Sequence, residues 1–175
     1  NKQKPTYNKP EWKGDALDGR SLLLYSEQGF GDTIMFLRFA QQMGQDSNRI
    51  FLQCQPQLKR LFSTQPELEH VVANGEKLPS YDLQAPLMSL PHLLKVTREN
   101  DFHSQAYLST DELSIAPIPE AKPGHKKVAV TWTSAPHSEI KEKKTVPYTK
   151  FCKLFNTPNC TFYSLQINAD ATAVA

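Results

Sequence analysis

A carboxylate next to two glycines is the part of this sequence best suited to chemistry. Gly29, Gly31 and Asp32 lie in the segment EQGFGD, between an apolar run and a stretch with helical spacing. Glycines occur where a backbone bends sharply or approaches another group closely, and a carboxylate at a helix start can accept a proton or cap the helix. Two interpretations stay open: a site in a cleft, or a tight turn with a cap worth about 1 kcal/mol.

The elements that must position this turn are a strand before it and a helix after it. Residues 22–25 are an apolar run short enough for a buried strand, and residues 33–43 contain no Gly or Pro. Apolar side chains lie at helical spacing in this stretch (Ile34, Leu37, Ala40 and Met43), with others beside them (Met35, Phe36 and Phe39). This pattern predicts a helix that is capped near Asp32 and covered on more than one side. Because ligands of open α/β sheets bind at the carboxyl ends of strands, the turn is predicted to lie at a cleft.

Strands and helices alternate along the rest of the chain. Further strands are predicted at residues 49–54, 69–73, 81–84, 127–132 and 160–165, helices at 56–62 and 147–155, and a short helical segment at 86–94. Pro56 suits the first position of its helix, where a missing N–H costs nothing. The alternation favours an α/β fold with a mostly parallel sheet that is covered on both faces.

Four segments are predicted along the chain. Residues 1–19 form a polar strap in which Trp12 is the expected anchor, and residues 20–108 form the first α/β lobe. Residues 109–125 contain three prolines and a glycine without an apolar period, which predicts a linker. Residues 126–175 begin a second α/β unit that we expect to be incomplete, because a whole lobe needs more than about 100 residues.

Composition narrows the class of protein. A hydrophobic content of 39% and a charged content of 22% predict a globular protein. The sequence has neither a membrane-spanning apolar run nor a signal-peptide pattern. Its three cysteines match no zinc or disulfide pattern, so the expected location is cytoplasmic. A dinucleotide fingerprint is excluded, because Ile34 stands at the position of its third glycine.

The net charge differs between two parts of the chain. Residues 1–116 carry 12 Lys and Arg against 14 Asp and Glu, a net charge of −2, whereas residues 117–175 carry 8 Lys against 4 acidic residues, a net charge of +4. The basic part could bind an anionic ligand or simply expose solvated lysines. Its charge density is too low for a nucleic-acid interface.

Short motifs follow one another in an order that resembles a known family. They are W-x-G (12–14), EQGFGD (27–32), FLRF (36–39), QCQPQL (53–58), SLP (89–91), YL (107–108), TWTS with a following His (131–137) and FYSLQ (162–166). Over residues 7–168 the chain resembles the glycosyltransferases related to ADP-heptose:lipopolysaccharide heptosyltransferases, especially those fused to tetratricopeptide repeats. The resemblance implies the Rossmann-like parallel-sheet N-terminal lobe of a GT-B fold and the beginning of a second Rossmann-like lobe.

The N-terminal lobe of such enzymes binds the acceptor. The resemblance implies that Asp32 is the general base that takes the proton of the acceptor hydroxyl. The implied acceptor cleft contains Gln28, Gly29, Phe30, Gly31 and Ser89. A helix N-terminus would keep Asp32 ionised, although the same dipole lowers its basicity. Ser89 could instead only cap its turn.

The C-terminal lobe of such enzymes binds the nucleotide-sugar donor, whose diphosphate contacts the first loop of that lobe. The matching donor phosphate-binding residues are Thr133, Ser134, His137 and Lys144. Relatives usually have arginine at the last position, and lysine supplies the charge for a phosphate without the bidentate fork. The neighbouring Lys141 and Lys143 could equally belong to an exposed loop.

The expected function is transfer of a sugar from a nucleotide-sugar donor to a hydroxyl of a glycan, lipid-linked or protein acceptor. No cofactor, metal ion or nucleic-acid partner is expected, and tetratricopeptide repeats could be fused outside this chain. We expect the 175 residues alone to be inactive. The alternative is a noncatalytic α/β module that binds carbohydrate or protein, because a fold does not determine function.

Overall fold

Two units make up the chain, residues 1–115 and 116–175. They are seen in a computed structural model that describes residues 7–44, 49–97, 106–110, 117–133 and 145–166. The boundary between the units falls within the proline-containing segment 109–125. Ser109 at the start of that segment still belongs to the first unit, because its N–H donates to Oε1 of Gln65 at 3.0 Å.

The first unit is built on a parallel four-stranded sheet, as the alternation of strands and helices predicts. Its strands are β1 (Ser21–Tyr25), β2 (Arg49–Cys54), β3 (His70–Ala73) and β4 (Leu83–Pro86), in the order β3-β2-β1-β4. The fourth begins two residues later than predicted, because the preceding residues have other partners. Tyr81 packs with Leu23 and Phe51, and the Asp82 carboxylate accepts bonds from the N–H and the hydroxyl of Ser21, both at 2.8 Å.

Of the helices that accompany this sheet, the one predicted over 56–62 has those bounds, and the segments predicted over 33–43 and 86–94 are each divided into two shorter elements. In the described residues the helices are α1 (Phe30–Leu37), α2 (Gln41–Gly44), α3 (Pro56–Phe62) and α4 (Leu90–Leu93). The helix predicted over 33–43 is interrupted, since the N–H groups of Phe39 and Ala40 bond to carbonyls three residues back, at 3.2 and 2.8 Å. This tighter turn lets both side chains enter the core. Pro56 holds the start of α3, as predicted.

Both faces of the sheet are covered, but by different kinds of structure. One face packs against the helices. It brings together Leu22, Leu24, Ile50 and Leu52 from the strands with Leu37, Ala40, Leu58 and Phe62 from the helical side. The other face presents Leu23 and Phe51, which pack with Tyr7, Leu78 and Tyr81 from the strap and from the loop before β4. Among the described residues, loops take the place of helices on this second face.

Trp12 anchors the N-terminal strap, as predicted. Its side chain is 3% exposed, its backbone N–H donates to the Gln84 carbonyl at 2.8 Å, and Gln84 donates to the Pro10 carbonyl at 3.0 Å. The strap therefore extends the sheet beyond β4. Gly14 has φ +90°, and a Cβ there would lie 2.4 Å from the carbonyl oxygen of Leu93. The glycine of W-x-G is thus a packing requirement.

The second unit contains a two-stranded parallel sheet of β5 (Lys126–Val130) and β6 (Cys160–Ser164). The helix predicted over 147–155 is α5 (Tyr148–Phe151) followed by a 3-10 turn (Cys152–Asn156). Aromatic rings with neighbouring centroids 5.2 to 6.3 Å apart connect helix and strands: Trp132, Tyr148, Phe151, Phe155 and Phe162. Val130 is the only buried residue in the described part of this unit.

Candidate functional site

The carboxyl edge of the sheet between β1 and β4 is where a ligand site is expected. From β1 the chain moves outward to β2 and β3 and then returns to the other side of β1 to form β4. Ligands of open α/β sheets bind in the crevice where the strand order reverses in this way. Tyr25 and Pro86, the last residues of the two strands, pair in register. The EQGFGD turn follows the first, and the Leu87–Ser89 turn, which packs against α1, follows the second.

Asp32 lies at this edge, but it is not the cap residue of the helix. Gly29 holds the N-cap position of α1, and Asp32 is the third residue of the helix. Its Oδ2 reaches back to accept a hydrogen bond from the Gly29 N–H at 3.1 Å. The side chain is partly exposed, and Oδ1 has no hydrogen-bond partner among the described residues. One carboxylate oxygen therefore organises the turn, and the other remains able to accept a hydrogen bond.

The two glycines of this turn are not explained by its conformation. Gly29 has φ −72° and ψ 175°, which any residue adopts. A Cβ on Gly29 would meet only the Asp32 side chain at an ordinary 3.5 Å, and a Cβ on Gly31 would meet nothing within 4 Å. Gly14, in contrast, has both a positive φ and a backbone clash. A glycine inside a helix costs up to about 1 kcal/mol relative to alanine, and nothing in the packing of the described residues calls for one at Gly31.

Gln55 holds the glycine turn in place and was missed as a site residue. Its Nε2 donates to the Gln28 carbonyl at 2.8 Å and lies 3.0 Å from Oγ1 of Thr33. Oγ1 of Thr33 also lies 3.1 Å from the Gly29 carbonyl oxygen. Gln55 is the N-cap residue of α3 but makes no capping bond there, so its amide serves the neighbouring loop. The available signal was a polar side chain directly after a predicted strand, in the motif QCQPQL.

Two serine hydroxyls lie at the ends of the neighbouring strands. Ser26 follows β1, and its Oγ is buried without a hydrogen-bond partner among the described residues. A buried hydroxyl that lacks a partner costs about 1–3 kcal/mol, which a ligand could recover. Ser89 is half-buried at the N-cap of α4 and makes no side-chain capping bond. Sequence reasoning selected Ser89 from its motif and missed Ser26, whose only signal was its place after the strand.

The outer side of α1 is exposed, contrary to the prediction that this helix is covered on more than one side. Phe30 is 46% exposed and Met35 is 48% exposed. The prediction is wrong because α1 ends at Leu37, so Phe39 enters the core from a turn and adds no second covered side. The side chain of Gln28 is exposed as well. The residues of the EQGFGD turn that were predicted to line an acceptor cleft therefore form an open surface.

A buried and a half-buried tyrosine near this edge, Tyr25 and Tyr7, are excluded as bases. The hydroxyl of Tyr7 donates to Oε1 of Gln53 at 2.6 Å, and its ring centroid lies 4.3 Å from that of Tyr25. Burial, with a smaller effect from the charge of Glu27, raises the pKa of Tyr25 to about 12. Burial also raises the pKa of Tyr7. Both phenols therefore stay protonated at neutral pH.

One of the residues matched to donor binding lies in the described part of the second unit. Oγ1 of Thr133 lies 2.9 Å from Oγ1 of Thr145, and the Thr133 N–H donates to Oε1 of Gln166 at 3.1 Å. The other three lie outside the described residues: Ser134, His137 and Lys144. The described start of the loop after β5, residues 131–133, is thus held by side-chain hydrogen bonds, and Gln166 is a further residue that sequence reasoning did not select.

The structure establishes an α/β first unit with a Rossmann-like parallel sheet. It brings the EQGFGD turn and the Ser89 turn to one sheet edge. Within the described ranges, no group of three or more His, Cys, Asp or Glu side chains could hold a metal ion, and no helix is long and apolar enough to cross a membrane. Comparison with protein-family models, curated proteins and solved structures gives no significant match to the chain.

Proposed function

We propose that the chain carries the acceptor site and the first donor-binding loop of a cytoplasmic glycosyltransferase that uses a nucleotide-sugar. The observation that carries the proposal is the bare glycine turn beside Asp32 at the carboxyl edge of the sheet, where β1 and β4 end side by side. Neither Gly29 nor Gly31 is required by backbone angle or by packing. Close approach of a substrate to the backbone accounts for both. The order of motifs that resembles a glycosyltransferase family supplies the class of reaction.

In the proposed reaction Asp32 is the general base. An acceptor hydroxyl gives its proton to Oδ1 of Asp32 while its oxygen attacks the anomeric carbon of the donor sugar. The nucleoside diphosphate leaves with the electron pair of the broken C–O bond. The hydrogen bond from the Gly29 N–H to Oδ2 supports this role, because it restrains the carboxylate without occupying Oδ1. The base must come within about 2.6–3.2 Å of the acceptor oxygen, and the absence of side chains at both glycines leaves room for that approach.

The second unit supplies the donor side in this proposal. Its first loop contains Thr133, Ser134, His137 and Lys144, which we propose contact the diphosphate of the donor. Hydroxyl groups and a cation suit such a ligand, and the net charge of +4 over residues 117–175 acts in the same direction. The acceptor is a hydroxyl of a glycan, a lipid-linked sugar or a protein.

The test is Asp32→Asn in the full-length protein, assayed for transfer with a panel of nucleotide-sugars. Asparagine keeps an oxygen for the Gly29 N–H, so the helix start is preserved while the base is lost. We expect transfer to fall at least about a hundredfold, the lower range for general-base catalysis, with donor binding unchanged by calorimetry.

The matched control is Asp82→Asn. The Asp82 carboxylate also accepts a backbone N–H and a hydroxyl, from Ser21, and those bonds lower its pKa. It lies at the opposite edge of the sheet, before β4, so this variant should retain transfer. Equal transfer by the Asp32→Asn variant and the wild type would return Asp32 to a structural role. If no donor supports transfer while glycans bind to the wild type and not to Gly31→Ala, the chain is a noncatalytic carbohydrate-binding module.

A further inference from the structure

A side-chain oxygen occupies a ring of hydrogen-bond donors at the carboxyl end of β5. Oε1 of Gln166 accepts three hydrogen bonds, from the hydroxyl of Thr131 at 2.7 Å and from the N–H groups of Trp132 and Thr133 at 3.2 and 3.1 Å. A backbone N–H can only donate, so the atom that faces these groups must be the amide oxygen and not the nitrogen. We call these three donors the β5 cradle.

The β5 cradle begins where the pairing of the two strands ends. The N–H of Leu165 donates to the Val130 carbonyl at 2.9 Å, and Gln166 is the next residue. Past Val130, the N–H groups of Trp132 and Thr133 bond to this side chain and to no strand among the described residues. Successive N–H groups that converge on one point form a concave site for an anion. Thr131 is exposed, so the cradle can be reached from solvent.

We infer that Oε1 of Gln166 holds the place of an anionic ligand oxygen, and that a phosphate group must displace Gln166 to bind in the β5 cradle. The inference rests on the proposed function for the source of that phosphate, the diphosphate of a nucleotide-sugar. A charged oxygen makes hydrogen bonds about twice as strong as those of a neutral amide, so a phosphate oxygen can displace Oε1 of Gln166. Gln166 is then an internal competitor that keeps the donors satisfied while the site is empty.

Binding of inorganic pyrophosphate, followed by calorimetry at fixed low ionic strength, tests the competition. If the open cradle is populated about a tenth of the time, removing the competitor by Gln166→Ala tightens binding about tenfold. Gln166→Asn, whose amide is one methylene shorter, should also tighten it. Gln166→Glu places a carboxylate on the same three donors and should reduce binding below detection. Asn156→Ala removes an exposed amide from the same unit and should leave pyrophosphate binding unchanged.

Two further measurements accompany the calorimetry and separate the possible outcomes. Thermal unfolding checks that each variant is folded. If the Gln166→Ala variant is unfolded, the Gln166→Asn variant supplies the test of competition. In the wild type, pyrophosphate should shift the amide resonances of Trp132 and Thr133. If the wild type binds pyrophosphate and both shortened variants bind equally or more weakly, the competition is wrong while the donor site stands. If neither the wild type nor the shortened variants bind, the cradle is only a cap of the strand end, and the test of Asp32 stands independently.

Discussion

The turn after β1 and the loop after β5 each follow the first strand of an α/β unit, yet they are held in place differently. β1 is buried along all five of its residues, whereas in β5 only Val130 is buried. The turn after β1 is fixed by a strand inside a core and by the amide of Gln55. The loop after β5 is fixed by Gln166 and by the contact of Thr133 with Thr145.

The difference shows two ways to fix a segment at the end of a strand. A turn that follows a fully buried strand is held in position by the core. Its glycines therefore need not make contacts of their own. A loop that starts from a half-exposed strand gains its shape from side-chain hydrogen bonds. Lower local stability is therefore expected in the second unit, because fewer buried apolar contacts hold it.

The largest effect that tests this comparison is cysteine reactivity. Cys54 in the first unit is 0% exposed, and Cys152 and Cys160 in the second unit are half-buried. Burial also raises the pKa of the Cys54 thiol to about 11, and the thiolate is the reactive form. We expect iodoacetamide at pH 8 to label Cys54 at least about a thousandfold more slowly than the other two, because its reaction requires opening of the core.

Peptide mapping by mass spectrometry measures each site separately. In denaturant all three cysteines should react at similar rates, which controls for local sequence. Labelling of Cys54 as fast as that of Cys160 in the native protein would mean that the first unit opens as readily as the second, and the comparison would fail.

The second effect concerns Gly14, which marks a packing constraint in the first unit. Gly14→Ala would place a Cβ 2.4 Å from the Leu93 carbonyl oxygen at a φ of +90°. We expect a loss of about 2–4 kcal/mol in the free energy of unfolding, from backbone strain and displacement of the strap. Urea unfolding followed by circular dichroism measures it.

Gly19→Ala is the matched control, because Gly19 has φ +79° but open space around its Cβ position. Gly19→Ala should lower the free energy of unfolding only by the backbone strain, about 1–2 kcal/mol. Equal losses of stability in the two variants would show that Gly14 has no packing role. They would also contradict a firm attachment of the strap to α4.

Much of this fold could be predicted from local patterns, because the responsible signals lie within a few residues. The apolar run at 22–25 and the proline at the start of α3 predicted their elements. The start of β4 could not be predicted: Tyr81 and Asp82 resemble strand residues, but Asp82 bonds to Ser21, 61 residues away. The cradle around Gln166 depends in the same way on a partner 35 residues away.

The position of the EQGFGD turn at the carboxyl edge of the sheet was predicted, but the conformation of its glycines was not. EQGFGD indicated where the chain meets the sheet edge, yet the spacing of Gly29 and Gly31 cannot reveal their backbone angles. Only the structure shows that both angles suit any residue. Gln55 was missed because its partner, the Gln28 carbonyl, lies 27 residues away, and Ser26 because the burial of its hydroxyl depends on the fold.

The smallest expected effect is a gain in stability from a substitution at Gly31, opposite in sign to the loss expected at Gly14. This residue lies in the first turn of α1 with nothing within 4 Å of its Cβ position. Gly31→Ala should therefore stabilise the first unit by about 0.5–1 kcal/mol, since alanine loses less conformational entropy in a helix. If a substrate approaches the bare backbone, the same methyl group should lower transfer, or glycan binding, at least about tenfold. Gln57→Ala on the exposed side of α3 is the control, with a small gain in stability and no change in transfer. A Gly31→Ala variant that is more stable and fully active would show that no ligand approaches this turn closely, and the turn after β1 would be a structural connection only.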